Sequence, residues 1–428
     1  MKIHLRTLGC RLNQAEIDSM ARQFRQQGHE IVEDAAAADQ VVVNTCAVTH
    51  DAVRAGRQMI RQLHRANADA AITVTGCHAQ IAPDEIRMLP GVARVVDNLG
   101  KDALVGQITG IAPEPFDHEP ILRAVPNAVT RTRAFVKVQD GCDNACTFCV
   151  TTVARGQGRS RPPADVIGEI RLLAAMGYQE IVLTGVHLGS YGHDLGDPDG
   201  LARLVGTILT DTDVPRLRLS SLEPWDLTPG FFALWENPRL CPHLHLPLQS
   251  GCDATLKRML RKTTQAQFRA LIDAARQYIP DPAITTDVIV GFPGESDDEF
   301  AVSAAFIESV GFAGLHVFRY SKRPGTAAAR MRGHIDDETK KVRAARMLAL
   351  SEAMEAAYAE RQIGRVVPVL WEQIGGVTQE GFINVGYTDS YIRVTNTSPR
   401  PLTNCIVPAR LERCDPVKRQ VYVTPLFD

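Results

Sequence analysis

The sequence predicts an α/β protein in three parts: an amino-terminal parallel α/β domain, a central partial barrel of six βα units, and a small carboxy-terminal antiparallel β-barrel. Over the first hundred residues, short apolar runs alternate with helical patterns. A second alternating series follows a stretch rich in proline, and past Gly364 the pattern changes to short β runs between turn residues. We expect domain limits of 1–112, 128–362 and 364–428.

Composition and charge narrow the class of protein. A chain of 428 residues has room for two or three globular domains, and a net charge of -2 argues against a protein that coats nucleic acid through charge. The chain has no apolar run of membrane-spanning length, and its first residues lack the apolar core of a secretory signal. We therefore expect a cytoplasmic protein without a membrane partner, whose clustered cysteines are metal ligands or catalytic thiols rather than disulfides.

Three early cysteines each lie one to three residues beyond a predicted strand. The strands are Lys2 to Leu8, Val41 to Val43 and Ala71 to Thr75; a helix ending near Gly28 follows the first, and a helix from Thr49 to Arg65 follows the second. Parallel strands place their carboxyl ends on one edge of a sheet, so Cys10, Cys46 and Cys77 can converge there. The alternative is three unrelated buried cysteines.

The second series begins after a predicted linker, Gly110 to Thr132. Its predicted strands are Ala134 to Val138, Glu180 to Thr184, Arg216 to Ser220, His243 to Pro247, Ile284 to Val290 and Gly314 to Phe318. Six βα units are too few for a closed eight-stranded barrel and suit an open one. A charged helix, Asp336 to Arg361, precedes the β runs Val366 to Trp371, Phe382 to Val385, Tyr391 to Val394, Cys405 to Leu411 and Gln420 to Val423.

Cys142, Cys146 and Cys149 form a C-x-x-x-C-x-x-C triplet directly after the first strand of this series. Such a triplet can ligate three irons of a four-iron cluster and leave the fourth iron without a protein ligand. Structural zinc usually takes four ligands in two separated pairs, which makes zinc the weaker interpretation, and chance spacing among ten cysteines is the third. S-adenosylmethionine can chelate the open iron, and one electron then cleaves its sulfonium to methionine and a 5′-deoxyadenosyl radical.

Loops at the same strand ends are candidates for the cofactor pocket. Phe148 is apolar between the last two cysteine ligands, glycines let backbone approach a ligand closely, and amide and hydroxyl groups offer hydrogen bonds. The predicted cofactor-binding residues are Phe148, Gly185, Gln249, Ser250, Gly291 and Glu295. Each loop could equally be a plain turn.

Several motifs together resemble the radical S-adenosylmethionine methylthiotransferases: CDNACTFC, ARGQGRSR, LTGVHLGSYG, HLHLPLQSG, DVIVGFPGES and FRYSKRPGT, with TLGCRLNQ, NTCAVT and TGCHAQ resembling the family's amino-terminal cysteine motifs. The resemblance implies a radical-SAM barrel, a TRAM-like RNA-binding barrel, and a second [4Fe-4S] cluster on Cys10, Cys46 and Cys77. It also implies two S-adenosylmethionine molecules, one as methyl donor and one as radical source, an electron donor, and a sulfur source acting through the second cluster. The reaction that the resemblance implies converts a C–H bond of the substrate to C–SCH3.

Within that family, TLGCRLNQ, LTGVHLGSYG and YSKRPGT, including Lys322, resemble the branch that modifies N6-threonylcarbamoyladenosine at position 37 in the tRNA anticodon loop. The alternative branches act on N6-isopentenyladenosine 37 or on a ribosomal protein, and an RNA-binding protein with a structural metal site is the alternative of a different class. Cys252 and the Val150-Thr151-Thr152 run depart from the family pattern. They bear on substrate geometry and not on the cluster ligands.

Basic residues at two places are candidate RNA contacts. Those predicted are Arg54, Arg57, Arg61 and Arg65, which form one stripe on a helix, and Arg155 and Arg159 beside the triplet. A solvated helix face, helix capping and salt bridges are the plainer explanations. His243 and His245 alternate on one strand, and we expect them to line the pocket or the core rather than bind a metal. Cys252, Cys405 and Cys414 lack partners at ligand spacing and are expected to be structural.

Overall fold

The computed structural model describes residues 1–111, 132–415 and 417–427. The predicted linker lies almost entirely outside these residues. The amino-terminal elements are β1 Lys2–Thr7, α1 Arg11–Gln26, β2 Glu30–Ile31, β3 Gln40–Thr45, α2 His50–Ala66, β4 Ala71–Gly76, α3 Cys77–Ile81, α4 Pro83–Arg87, β5 Val92–Val95 and α5 Leu104–Thr109. The three predicted strands are confirmed, and β2 and β5 are additional.

The amino-terminal sheet has the order β2-β1-β3-β4-β5, and all of its neighbouring strands are parallel. Val41 and Val43 pack on one face with Ile60 of α2, while Val42 packs on the other with Phe24 of α1. This alternation explains why β3 is buried at every position. In an open sheet of this order the ligand crevice lies where the strand order reverses, between β1 and β3.

The central part contains β6 Arg133–Lys137, β7 Gln139–Asp140, α6 Thr151–Arg155, β8 Arg159–Ser160, α7 Pro163–Ala175, β9 Glu180–Thr184, α8 Gly200–Asp211, β10 Arg216–Leu219, β11 His243–His245, α9 Asp253–Arg258, α10 Gln265–Tyr278, β12 Ala283–Val290, α11 Asp297–Val310, β13 Gly314–Arg319 and α12 Asp337–Gln362. Six parallel strands form the sheets β10-β9-β6 and β11-β12-β13, which meet through the bridges Leu217 to Leu240 and Ser221 to His245. The predicted open barrel of six βα units is confirmed.

Alternate residues of each barrel strand face opposite sides. On β12, Ile284, Val288 and Val290 belong to the large core under the outer helices, so Thr285 and Asp287 face the lumen. Helix α1 packs against β6 and covers one side of the barrel opening. The amino-terminal domain therefore closes part of the barrel.

The carboxy-terminal strands are β14 Val366–Thr378, β15 Gly381–Thr388, β16 Arg393–Ser398, β17 Ile406–Asp415 and β18 Gln420–Pro425. They form a closed barrel in the order β14-β15-β16-β18-β17. The predicted barrel is confirmed with one difference, because β16 pairs with β18 in parallel. A closed ring of five strands cannot alternate direction at every neighbour, so one parallel pair is required.

The carboxy-terminal barrel inserts a tyrosine beneath the central barrel. The Tyr391 ring lies 4.1 Å from the Arg218 guanidinium and 5.0 Å from that of Arg133, and its ring centroid is 5.0 Å from that of His243. Its backbone has φ of 71°, a costly conformation for a bulky residue that the surrounding contacts must hold in place. Tyr391 thus closes the floor of the lumen. No helix in the described ranges is long and apolar enough to span a membrane.

Candidate active site

The loop carrying Cys142, Cys146 and Cys149 follows β7 and is held from both ends. Gly141 has φ of 74°, and a Cβ there would overlap the carbonyl oxygen of Gln157, so only glycine fits. The Cys142 N–H donates to the Gly156 carbonyl at 2.9 Å. Further along, Thr147 accepts a hydrogen bond from Ala328 N–H at 2.8 Å. These bonds fix the loop before any ligand is bound.

Donors surround the sulfur atoms of this triplet. Arg261 Nη1 lies 3.6 Å from Cys146 Sγ, and the Asn144 N–H donates to Cys142 Sγ at 3.4 Å. Arg261 is itself held by Glu223 at 2.6 Å. Burial raises the pKa of the Cys146 and Cys149 thiols, so their thiolates need nearby positive charge. A bound iron cluster supplies that charge, which means that this donor set fits such a group.

His187 is a part of the site that sequence reasoning missed. Its Nε2 lies 2.5 Å from Asp226 Oδ2, and its ring contacts Asn144. Although burial opposes the imidazolium, hydrogen bonds with Asp226 and Cys142 raise the pKa of His187 to about 10. The Val-His pair in LTGVHLGSYG was the only available signal. His187 adds a positive group beside the first cysteine of the triplet.

Cys10, Cys46 and Cys77 converge at the carboxyl edge of the amino-terminal sheet, as predicted. Cys10 is the N-cap of α1, Cys46 follows β3, and Cys77 begins α3. A Cβ on Gly9 would lie 3.1 Å from Cys46 Sγ, which shows how closely the two loops approach. Burial, with smaller contributions from the Cys77 and Cys10 thiols, raises the pKa of the Cys46 thiol to about 11. Three mutually repelling thiolates require a shared cation, as a metal cluster provides.

Arg323 lies beside this second triplet. Its side chain is buried and feels the charge of Cys46, yet its Nε and Nη1 atoms have no hydrogen-bond partner among the described residues. A buried unpaired guanidinium is costly unless an anion lies close by. A cluster held by three thiolates is such an anion, so Arg323 also fits a bound group here. The SKRPGT motif contained this residue, but only the fold places it beside Cys46.

Helix α6 joins the two triplets. It begins two residues after Cys149, and Ala154 on it packs against Cys77 and Ala47. Asn98 Nδ2 also donates to the Ala154 carbonyl at 2.7 Å. The two cysteine sites therefore lie on either side of one short helix.

Arg155 is buried inside the protein, which corrects the expectation of an RNA contact there. Its guanidinium is only 1% exposed and lies 2.9 Å from both Glu16 and Asp140. It also donates to Asn13 Oδ1 at 2.8 Å. Arg155 is a buried bridge between the two cysteine-bearing domains. Arg159 is 42% exposed and remains available at the surface.

Phe148 and Gln249 are the two predicted cofactor residues that border the triplet. Phe148 packs against an apolar cluster that contains Phe292 and Met259, next to its flanking cysteines. Gln249 has φ of 77°, a strained conformation for a residue with a side chain, and its N–H donates to the Asp287 carbonyl at 2.8 Å. Arg261, which contacts Cys146, also bonds the Pro247 carbonyl, so the end of β11 lies beside the triplet.

The other four predicted cofactor residues have structural partners. The Glu295 carboxylate accepts from Arg343 at 2.7 Å and from Gly291 N–H at 2.9 Å. Ser250 Oγ accepts from Cys252 N–H at 3.2 Å, and a Cβ on Gly185 would lie 3.0 Å from Gln139 Oε1. The Glu295 carboxylate and the Ser250 hydroxyl therefore stabilise these loops, and their contact with a cofactor stays a prediction.

Comparisons with known proteins match this arrangement. Residues 2–97 match the uncharacterized protein family UPF0004, and residues 136–307 match the radical SAM superfamily. The threonylcarbamoyladenosine tRNA methylthiotransferase MtaB of Bacillus subtilis is 39% identical over 417 residues, which cover 95% of this chain and 92% of the relative. The chain belongs to the radical S-adenosylmethionine tRNA methylthiotransferase family. It is a transferase, and its family uses a [4Fe-4S] cluster and S-adenosylmethionine.

Other relatives of this methylthiotransferase extend the comparison. The Thermotoga maritima MtaB is 38% identical, covering 91% of this chain and 90% of the relative. A tRNA-2-methylthio-N(6)-dimethylallyladenosine synthase of Acidothermus cellulolyticus is 37% identical, covering 86% and 76%. The radical S-adenosylmethionine methyltransferase TsrM of Kitasatospora setae shares the fold, with a TM-score of 0.58, 15% identity, and coverage of 88% of this chain and 79% of TsrM.

The methylthiotransferase has a basic groove on α2. The groove has a volume of about 670 Å³ and is lined by Arg54, Arg57, Arg61 and Arg65 together with Glu85 and Met88. Arg57 is paired with Glu85 at 2.6 Å, whereas Arg54, Arg61 and Arg65 are exposed. The predicted stripe exists, and three of its four arginines are open to solvent.

The two histidines of β11 have different surroundings. His243 packs against Tyr391, and burial together with Arg218 and Arg11 lowers its pKa well below the usual value. His245 Nε2 lies 3.2 Å from Asp287, which His316 Nδ1 also contacts at 3.2 Å. The expectation that both line the pocket or core agrees with these positions. Asp287 and His316 were missed, since nothing in their spacing joins them to His245.

Proposed function

We propose that this methylthiotransferase inserts sulfur and a methyl group at C2 of N6-threonylcarbamoyladenosine 37 in tRNA. The observation that carries the proposal is the pair of cysteine triplets on either side of α6, one suited to radical formation and one to sulfur transfer. Two relatives named as threonylcarbamoyladenosine enzymes, at 39% and 38% identity, favour this substrate over the dimethylallyl one. Because the substrate is tRNA, we infer a cytoplasmic location.

The proposed division of labour follows the domain limits 1–112, 128–362 and 364–428. The first domain holds the second [4Fe-4S] cluster on Cys10, Cys46 and Cys77. The central domain holds the radical-generating cluster and S-adenosylmethionine. The last domain is a TRAM-like RNA-binding barrel, docked through Tyr391.

Residues around the first triplet bind the cluster and shield it from water. Cys142, Cys146 and Cys149 would hold the [4Fe-4S] cluster, and Gln249 borders the space beside it. When bound, the cluster and S-adenosylmethionine together supply a radical that abstracts hydrogen from the substrate. Phe148 and Phe292 exclude water from the loop, and Arg261 offsets negative charge at Cys146.

Residues around the second triplet would hold the auxiliary cluster through which sulfur passes. Arg323 supplies a buried positive charge at Cys46, and Arg155 fixes the distance between domains through Glu16 and Asp140. An external electron donor and a sulfur source complete the reaction. The groove on α2 and the exposed Arg159 offer phosphate contacts to the tRNA.

Mass spectrometry of tRNA nucleosides from cells lacking this protein tests the proposal. We expect loss of the methylthio form of threonylcarbamoyladenosine alone, with the unmethylthiolated nucleoside accumulating. Restoring the wild-type gene should restore the modification, and the Cys142→Ala variant should not. Loss of the methylthio isopentenyl nucleoside instead would contradict the substrate assignment, and no change in either would contradict the proposed function.

A further inference from the structure

A histidine-aspartate-histidine group lies in the lumen of the central barrel, apart from both cysteine triplets. His245, Asp287 and His316 come from three adjacent strands, β11, β12 and β13, and Asp287 is the register partner of His316. Their ligating atoms lie within 4.8 Å of one another. The two rings stack with centroids 5.0 Å apart. We call this group the lumen triad.

Strand alternation shows that the lumen triad faces inward. Leu315 beside His316 belongs to the core under the outer helices, so His316 faces the opposite side. Asp287 precedes Ile289 by two residues, and Ile289 packs against the same apolar cluster as Phe148 of the cysteine loop. At about 3.3 Å of rise per strand residue, the triad lies about 7 Å deeper in the lumen than Ile289 does.

Hydrogen bonds among the described residues hold the side chains of the lumen triad in place but leave one histidine nitrogen free for a ligand. His245 Nδ1 lies 2.9 Å from Thr285 Oγ1, which fixes that ring, and Asp287 contacts one nitrogen of each histidine. His316 is 58% exposed, and its Nε2 points away from Asp287. This nitrogen is a hydrogen-bonding position available to a ligand in the lumen.

Neighbouring buried atoms also lack partners. Ser220 and His243 are each 5% exposed, yet Ser220 Oγ and His243 Nδ1 make no hydrogen bond within the described part of the chain. Both belong to the inward series of their strands, Ser220 after Arg218 and His243 before His245. Buried polar atoms are normally satisfied, so these two atoms indicate a polar ligand in the lumen.

The charge around the lumen floor favours an anion. Arg216 and Arg218 face inward against Glu180 and lie near Asp389, and Arg133 is paired with Glu372 at 2.5 Å. Arg216 Nη2 is nevertheless buried without a hydrogen-bond partner among the described residues. The positive charge also lowers the pKa of His243, after burial, through Arg218. A neutral apolar substituent would leave Arg216 Nη2 and the other unpaired atoms without partners.

We propose that the lumen triad is the subsite for an N6 substituent bearing a carboxylate, with His316 Nε2 contacting that carboxylate. The inference rests on the proposed function and deepens it, since it assigns the selection between threonylcarbamoyl and dimethylallyl groups to His316. In adenine, C2 and C6, the carbon that carries N6, belong to the same ring. A base whose C2 faces the cysteine loop can therefore extend its N6 substituent deeper, toward the triad and the floor closed by Tyr391.

A two-by-two comparison tests the contact directly. Reconstituted wild type and His316→Asn are assayed on anticodon stem-loop RNA carrying threonylcarbamoyladenosine or its carboxamide, which lacks the negative charge. The asparagine amide can replace the imidazole Nδ1 as a donor to Asp287, but asparagine has no atom at the position of Nε2. We expect His316→Asn to lower kcat/KM about tenfold or more on the carboxylate substrate and less than about twofold on the carboxamide. His316→Gln, which returns an amide near Nε2, should recover part of the loss.

Controls separate this inference from the proposed function. His193→Asn, an exposed histidine outside the lumen, should leave both rates unchanged. Equal losses on both substrates, or loss of bound iron in His316→Asn, would overturn the inference, because either result indicates a structural role. Wild-type activity on dimethylallyl RNA without activity on threonylcarbamoyl RNA would overturn the proposed function itself.

Discussion

The two cysteine triplets are built in opposite ways. Cys142, Cys146 and Cys149 lie within eight residues on one loop, whereas Cys10, Cys46 and Cys77 come from three strand ends and exist as a site only in the folded sheet. The first depends on local backbone geometry, and the second depends on sheet order. A change confined to one loop should therefore damage the first site selectively. A change in domain packing should instead damage the second site and alter its distance from the first.

Their electrostatic surroundings differ as well. At the first triplet, Arg261 is paired with Glu223 and contacts Cys146 directly. At the second, Arg323 is buried beside Cys46 without a carboxylate partner among the residues described. The second triplet thus sits beside a less compensated positive charge, which stabilises a more negative bound group.

Arg155→Met should have the largest effect on the packing between the two sites. Removing Arg155 takes the closest cation from Asp140 and leaves Glu16 with Lys101 and Lys137, and we expect it to cost about 3 kcal/mol in the free energy of unfolding. Urea denaturation followed by circular dichroism measures this. Arg159→Met, at an arginine 42% exposed, should cost less than about 0.5 kcal/mol. Equal losses in the two variants would show that Arg155 does not join the domains.

Gly141→Ala should damage the first triplet alone. Its added Cβ overlaps the Gln157 carbonyl and its φ of 74° disfavours alanine, so we expect a cost of about 2 to 3 kcal/mol. Gly177→Ala has the same backbone problem, with φ of 92°, but open space around the new Cβ, and should cost only about 1 kcal/mol. Iron analysis should show reduced loading only in Gly141→Ala. Reduced loading in both variants would contradict a local cause.

Arg323→Gln and Arg261→Gln should shift the reduction potentials of different clusters. Each removes a positive charge beside one triplet, which lowers that cluster's potential by tens of millivolts or so, while the other cluster stays unchanged. Redox titration with electron paramagnetic resonance separates the two signals. A shift of both clusters in either variant would mean that the charges are not local to their triplets.

Arg54→Glu with Arg61→Glu should have the smallest effect, on tRNA affinity alone. Two lost phosphate contacts reduce the slope of log affinity against log salt by about 2 and weaken binding at low salt. Filter binding at several salt concentrations measures both quantities. Arg171→Glu with Arg203→Glu makes the same charge change on exposed helices of the central domain and should leave the slope unchanged. An unchanged slope in the α2 variant would remove that helix from the interface.

Most of the fold could be predicted from hydrophobic patterns. Val41 to Val43 and Ile284 to Val290 are long enough to show their pattern, and both are strands. The strand Glu30–Ile31 has only two residues and is too short to show a hydrophobic pattern. The edge strand Val92–Val95 is too exposed to show one. The parallel pair in the carboxy-terminal barrel follows from ring closure, which no single strand's sequence encodes.

The triplet of Cys142, Cys146 and Cys149 could be predicted from its spacing, and the convergence of Cys10, Cys46 and Cys77 from their positions after three strands. Roles that depend on the direction of a side chain could not be predicted. Glu295 and Arg155 occur in suggestive motifs, but their charges pair with Arg343 and Glu16 inside the protein. The lumen triad was missed, since its residues are separated by whole βα units, although inward alternation on each strand was available as a signal.

Iron content and product analysis of Cys46→Ala and Cys142→Ala test the central claim, that the two triplets hold two clusters with different tasks. Wild type should bind about eight irons and each variant about four. We expect Cys46→Ala to keep forming 5′-deoxyadenosine while losing methylthiolation, and Cys142→Ala to lose both. Full methylthiolation with an unchanged iron content in Cys46→Ala would contradict the account.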